Sequence, residues 1–186
     1  MLSIRRGLVL FLLLMAGALA ILALPGPAHA AAGCDEQQLT RPFLPWLDVA
    51  WYTPVPDAWT LDDGAATTAG GGPLSPDSAL SLPAGSSATT ESMCVSLAHP
   101  TLRFFARNTG SPTSALAVSV IFRDLLGIRR ELPVGVVGAG DSWAPTPVLP
   151  VVANLVSDDV AFSFTPLDAR GEWTIDDVYV DPYKKG

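Results

Sequence analysis

The chain has 186 residues, 49% hydrophobic and 16% charged, with a formal net charge of −7 and a mean hydropathy of +0.35. An acidic chain of this kind does not suit nucleic acid or anionic membrane surfaces as partners. Its two histidines are too few for a histidine metal cluster.

The N-terminus has the layout of a secretory signal peptide. Arg5 and Arg6 form a positive start, Gly7 to Leu24 is apolar, Pro25 and Pro27 break the run, and Ala28-His-Ala30 offers small residues at both peptidase-read positions. This predicts a signal helix within residues 1–30 and cleavage after Ala30. The alternative is an uncleaved anchor, because the apolar run approaches spanning length; the prolines and the Ala-x-Ala site favour cleavage. Loss of Arg5 and Arg6, with no acid, takes the charge from −7 to −9. The expected location is secreted or extracellular, with no membrane partner after cleavage.

Cys34 has two possible uses. Ala31-Ala-Gly33-Cys34 partly matches a lipidation site, but the large apolar residue expected three positions before the cysteine is Ala31, so a lipid anchor is not the expectation. A disulfide between Cys34 and Cys94 is, since these are the only cysteines and the destination is oxidising. A loop of that span contributes about 4 kcal/mol in the chain-entropy account.

Beyond Ala30 helix signals are scarce. All but two of the 17 prolines lie there, separating short runs rich in Val, Phe, Leu, Thr and Trp, which is the pattern of an all-β sandwich or barrel. Ser78–Leu82 is a short strand with Leu80 and Leu82 on one side. In Thr101–Arg107, Leu102, Phe104 and Ala106 alternate with Arg103, Phe105 and Arg107. In Leu116–Arg123, Leu116, Val118, Val120 and Phe122 share a face opposite Ala117, Ser119, Ile121 and Arg123. Asp124–Gly127 is a hairpin loop into Ile128–Leu132. Val148–Val156 is a strand or short helix, undecided by period. Val160, Phe162 and Phe164 share one face of a further strand. Gly70–Pro76 and Asn108–Ser114 read as loops. No repeat or second domain is visible, so residues 31–186 form one expected domain.

The last strand, Gly171-Glu-Trp-Thr-Ile-Asp-Asp-Val-Tyr-Val180, resembles the closing strand of galactose-binding-like jelly rolls, the β-sandwich of many carbohydrate-binding modules. Ser78–Pro83 resembles their early strand and Thr101–Arg107 the central strand after it. More closely, Arg41–Asp48, Pro83–Thr89, Cys94, His99–Arg107 and Ile175–Tyr183 resemble a group of exported bacterial proteins; that resemblance brings no activity with it. The jelly-roll resemblance implies a binding module, with structural calcium held by an acid of the closing strand and one of an early Phe-Glu. Here Pro54–Trp59 carries no Phe-Glu, so no cofactor is expected by inheritance.

Strict alternation cannot bury Ile175, Val178 and Val180 together, so a β-bulge is expected at Asp176–Asp177, with one acid pointing outwards and the other accepting backbone donors. The competing use of Asp176 and Asp177 is calcium ligation, with Asp57, Asp62 and Asp63 as further oxygen donors. A catalytic pair is disfavoured, since adjacent strand residues point to opposite sides. His99, the only histidine after Ala30, is expected in a turn or at the surface; no nucleophile elbow accompanies it. If the strands containing Arg103 and Arg123 share a sheet, Arg103, Phe105, Arg107 and Arg123 make an arginine-lined face for sugar hydroxyls or carboxylates. Trp51, Tyr52 and Trp143 lie near loops and are the candidate stacking platforms. The reading is a non-catalytic exported module, most simply for carbohydrate at the cell surface, with a protein-interaction or structural role in the envelope as the alternative.

Overall fold

Short β-branched and aromatic runs between prolines have room for strands and little else, and the computed structural model follows them. It describes residues 37–96, 99–151 and 159–181; the predicted signal helix, Cys34 and most of the undecided stretch after Val151 lie outside the described residues. Among the described residues, twelve strands follow a 3-10 turn at Leu44–Trp46: β1 Thr53–Pro54, β2 Trp59–Asp62, β3 Ala66–Ala69, β4 Ser78–Pro83, β5 Ser87–Thr90, β6 Thr101–Asn108, β7 Leu116–Arg123, β8 Arg129–Val137, β9 Ala144–Pro145, β10 Leu149–Pro150, β11 Val160–Pro166 and β12 Glu172–Asp181.

Two antiparallel sheets result. One runs β10-β6-β12-β4-β3, with β1 also on β12 and β9 also on β6; the other runs β2-β5-β11-β7-β8. The core lies between them. Leu102, Phe104 and Ala106 of β6 and Trp173, Ile175, Val178 and Val180 of β12 meet Val118 and Val120 of β7 and Val160, Phe162 and Phe164 of β11. Full burial of each large side chain stabilises by about 1.5–3 kcal/mol. The Trp173 indole N–H donates to Ser114 Oγ at 3.0 Å, so the largest core ring leaves no unmet donor.

β12 carries a bulge. Asp176 pairs with Phe105 and Tyr179 with Arg103, so Asp177 and Val178 together oppose Phe104. Asp177 sits at φ 52°, a left-handed conformation uncommon outside glycine. The bulge coincides with a change of neighbour: β4 flanks β12 through Ile175, and β1 flanks it at Tyr179–Val180. Here the register shift turns Val178 and Val180 inward with Ile175.

Two expectations are corrected. β6 and β7 belong to different sheets, so Arg123 does not share a face with Arg103 and Arg107. His99 is buried, not superficial. Its Nδ1 accepts the Ser96 N–H at 3.0 Å and its Nε2 meets Gln37 Oε1 at 2.8 Å. A ring nitrogen that accepts a backbone N–H is unprotonated, so Nε2 carries the proton and donates to Gln37. The Gln37 amide in turn donates to the Cys94 carbonyl. Cys94 is buried, and no described cysteine is a free thiol.

Candidate functional site

The outer face of the seven-stranded sheet gathers most of the singled-out residues. β6 presents Thr101, Arg103, Phe105 and Arg107 there, and the segment from Thr40 to Tyr52 folds across half of it. A bridge between Thr40 and Tyr52 closes this segment. Leu47, at φ 63°, ends the 3-10 turn by returning its N–H to the Leu44 carbonyl. Phe43, Tyr52 and Phe105 form a second core cluster. Phe43 lies 5.0 Å from Tyr52, 5.2 Å from Phe105 and 5.7 Å from Tyr179, ring centre to ring centre.

Asp48 fastens the segment. Its Oδ2 accepts the Tyr52 hydroxyl at 2.8 Å and Arg103 Nη1 at 2.6 Å, and its Oδ1 accepts the Ala50 N–H at 3.0 Å. Burial alone would raise the Asp48 pKa; these hydrogen bonds and the arginine charge outweigh it and hold the carboxyl below its ordinary value. Burial, then Asp48, pushes the Tyr52 phenol up. Arg103 Nε donates to the Thr146 carbonyl, and its guanidinium lies 4.7 Å from the Phe43 ring centre. Arg103, Phe105 and Tyr52 are therefore committed to packing: Phe105 and Tyr52 are buried and unavailable as ligand platforms. Trp51 is stacked under Arg41 at 4.3 Å.

The other end of β6 is different. Arg107 lies opposite Thr174 of β12, which lies opposite Ser81 of β4, so a guanidinium and two hydroxyls share one row of the outer face. The guanidinium carbon sits 4.9 Å from the Trp143 ring centre. Arg107 Nε is buried and has no hydrogen-bond partner, and among the described residues no carboxylate lies within ion-pairing distance of it. Arg107, Trp143, Thr174 and Ser81 are all partly exposed.

Asp176 and Asp177 hold a loop. Asp176 Oδ2 accepts the Gly72 N–H at 2.6 Å, Asp176 Oδ1 the Asp177 N–H at 2.8 Å, and Asp177 Oδ2 the Leu74 N–H at 3.0 Å. Both acids thus satisfy backbone donors, correcting the expectation that one points outwards; the loop between β3 and β4 crosses over the bulge and brings donors to each. The approach is close enough to require glycine, since a Cβ at Gly72 would stand 2.8 Å from Asp177 Oδ2 and 3.0 Å from Asp176 Cβ. Burial, reinforced by the Asp177 and Asp57 charges, pushes Asp176 up to about 6, and burial also raises Asp177. A cavity of ≈ 110 Å³ beside them is lined by Asp57, Trp59, Ser75 and Tyr179 among others.

This donor set does not fit the calcium considered for it. Three carboxylate oxygens already face N–H protons, a field that repels a cation. Asp57 accepts the Trp59 indole N–H at 2.7 Å, and Asp62, the last residue of β2, and Asp63, in the turn after it, are exposed. Among the described residues no group of three His, Cys, Asp or Glu side chains converges to hold a metal.

A second opening on the same face escaped the sequence reading. A groove of ≈ 580 Å³ has walls of Trp46, Leu47, Val49 and Val148, with Thr101 and Arg103 also lining it; Thr101 Oγ1 is buried and has no partner. Its one sequence signal is the apolar group Trp46, Leu47 and Val49, interrupted by Asp48, without strand or helix period.

Among solved structures, the chain resembles the CBM22-1–GH10 modules of Clostridium thermocellum xylanase 10B, described with bound xylohexaose. The TM-score is 0.57 at 15% identity, covering 70% of this chain and 26% of that one. The chain thus spans about a quarter of that protein. It also resembles the CBM22-1 xylan-binding domain of Paenibacillus barcinonensis Xyn10C (TM-score 0.53, 14% identity, 71% of this chain and 90% of that one) and a further CBM22 xylan-binding domain (0.53, 14%, 75% and 99%). The fold is the carbohydrate-binding-module jelly roll. No family model and no curated protein matches the chain. Within this jelly roll, the arginine–aromatic pair lies on an outer sheet face and the acids at the bulge of the closing strand.

Proposed function

We propose that the protein is an exported, non-catalytic binding module that takes a carbohydrate ligand on the outer face of its seven-stranded sheet, at Arg107, Trp143, Thr174 and Ser81. The observation that carries this reading is Arg107, held over Trp143 with a buried Nε that lacks an acceptor. A buried, unmet guanidinium donor costs free energy unless a further partner supplies an acceptor. An indole face beside two hydroxyls is the chemistry that stacks on a sugar ring and bonds its oxygens. Proteins of the same fold are described as xylan-binding, which supports the ligand class. Polysaccharide pull-down and glycan-array binding test it: Arg107→Ala and Trp143→Ala should each abolish retention that Arg123→Ala leaves intact. Failure of the unaltered protein to bind any cell-wall or environmental glycan would falsify the reading.

The remaining parts of the proposal are a signal peptide over residues 1–30, a single domain over 31–186, and a Cys34–Cys94 bridge. No helix among the described residues is long and apolar enough to cross a membrane.

A second reading, an envelope protein-interaction module, has its own observation. Trp46, Leu47, Val49 and Val148 are exposed together along the groove, Leu47 at 91%, and contiguous exposed apolar surface marks interaction sites. Cross-linking from Leu47 in intact cells, with Leu47→Asp as control, separates this from glycan binding.

A further inference from the structure

β6 carries two arginines on its outer face, four residues apart, and only one of them is completed by the protein. The Arg103 guanidinium lies 4.7 Å from the Phe43 ring centre, pairs with the Asp48 carboxylate at 2.6 Å and donates through Nε to the Thr146 carbonyl. The Arg107 guanidinium lies 4.9 Å from the Trp143 ring centre and has the aromatic ring without the rest. Trp143 packs in turn on the Phe43–Tyr52–Phe105 cluster, so the seat is fixed. Arg107 Nε is buried and unmet. Its two Nη groups bond to nothing among the described residues, and neither is a buried orphan like Nε, so both are open to solvent. A planar fork of donors held against a ring fits a planar carboxylate, which accepts two parallel N–H bonds. At Arg103 the chain supplies that carboxylate; at Arg107 it does not.

Acids near Arg107 oppose an anion without filling its place. Glu172 and Asp176 stand two positions either side of Thr174, the residue opposite Arg107, at diagonal positions about 7–8 Å away. The guanidinium leans the other way, towards Trp143, which precedes the β9 residue paired with Ala106. Asp176 spends its oxygens on the Gly72 and Asp177 N–H groups, and Glu172 is exposed. On the β9 side Asp141 is exposed and accepts the Ser142 hydroxyl. These charges, like the net −7, act across water and salt. A carboxylate at the two Nη groups acts at hydrogen-bond length in a partly dry seat, where the interaction is stronger. The hydroxyls of Thr174 and Ser81 continue the row on the next two strands, about 5 and 10 Å from β6, within reach of the same sugar and its neighbour.

We propose that the ligand of the outer face is an acidic glycan: a uronic acid places its carboxylate on Arg107 Nη1 and Nη2, while Thr174 and Ser81 bond the hydroxyls of that sugar and the next. The proposal rests on the glycan reading of this face and narrows it. Arg107 is the specificity-determining residue, Trp143 the residue that orients it. The ligand carboxylate takes the part that Asp48 takes at Arg103. A neutral sugar offers only hydroxyls, which bond a guanidinium singly and without charge assistance. Glu172 moderates the affinity, because an anion on Arg107 must sit on the same face as that acid.

Affinity electrophoresis and calorimetry on the exported chain test this, using glucuronic-acid-bearing xylan and polygalacturonate, each beside its carboxyl-reduced form. At least one acidic polymer should bind about tenfold or more tighter than its reduced form. Arg107→Lys keeps the charge and loses the fork, and should lower the affinity for that acidic polymer about tenfold while moving the reduced form little. Glu172→Gln should raise the acidic affinity about two- to fivefold and leave the reduced form unchanged. Arg123→Ala should change neither, and thermal melts confirm that every variant folds. Equal binding of acidic and reduced forms, both lost with Arg107→Ala, overturns the carboxylate and leaves the glycan reading standing. Binding to neither form overturns the carboxylate, and the glycan array then decides the wider reading separately. An acidic preference that survives Arg107→Ala, or tighter binding to a sulfated polymer without uronic acid, also overturns the proposal.

Discussion

Asp176 should make the protein more stable in mild acid than at neutral pH, the reverse of the usual carboxylate effect. It is 8% exposed, and burial raises its pKa from 3.8 to about 6. Between those values the folded state binds more protons than the unfolded state, so stability falls as pH rises through this window. A displacement of about two units corresponds to about 3 kcal/mol at most. The side chain borders a solvent-lined cavity, so about half of that, 1–2 kcal/mol, is the working figure. About half of that is lost between about pH 5, which lies inside the window, and about pH 7.5, so for a domain of this size the melting temperature should be about 1–3 °C higher at the lower pH.

Other perturbed acids act elsewhere on the scale. Asp48, Asp124 and Asp168 have lowered values, so their contribution is present above the unfolded carboxylate range and is lost only as pH falls below it. Asp177 is raised too, by burial, so its contribution has the same sign. Asp176→Asn fixes the neutral form and should remove the larger part of the slope, whatever it does to the absolute stability through the Gly72 N–H. The assay is calorimetry across the window, in parallel for the two proteins. A melting temperature that rises from mild acid to neutrality, or an Asn variant with the full slope, refutes the reasoning.

Asp48→Ala leaves Arg103 half-buried and unpaired and frees the Tyr52 hydroxyl; urea unfolding should show a loss of about 2–4 kcal/mol, reduced when Arg103→Met is added. Chelator and added calcium should leave the melting temperature unchanged, because the oxygens of Asp176 and Asp177 already hold N–H donors; a calcium-dependent rise would contradict the loop-clamp assignment. Intact-mass analysis should show a gain of two hydrogens on reduction, and Cys94→Ser should cost about 4 kcal/mol; a free Cys94 thiol in the exported protein would rule out the bridge.

The strands of the core were legible because their inward residues alternate, as Val118, Val120 and Phe162 do. The bulge was legible for the complementary reason: Ile175, Val178 and Val180 share no strict register. The fate of the acids was not, because their partners, Gly72 and Leu74, lie more than a hundred positions away and act through backbone N–H groups that sequence does not distinguish. Sheet membership was also hidden. β6 and β7 are consecutive long strands, but they face each other across the core, which removed Arg123 from the arginine face. His99 looked superficial beside Pro100; its burial depends on Gln37, 62 positions earlier.

The N-terminal segment decides what the outer sheet face can do. β6 is buried on both sides at Phe104 and Phe105, although one side of an antiparallel sheet usually faces water. The cover consists of Phe43 and Tyr52, fastened by Asp48 to Arg103 and, further upstream, by Gln37 to His99 and the Cys94 carbonyl. Each fastening reaches β6 or the stretch leading into it, so the segment is an added layer of the fold. By covering Phe105 it removes the centre of the face from any ligand and leaves two separate openings: the Arg107–Trp143 row and the groove at Trp46. Removing the cover by Phe43→Ala would expose Phe105 while leaving the Arg107–Thr174–Ser81 row in register. Glycan retention should therefore survive that change in whatever fraction still folds, whereas a ligand seated over Arg103 would be lost with the segment.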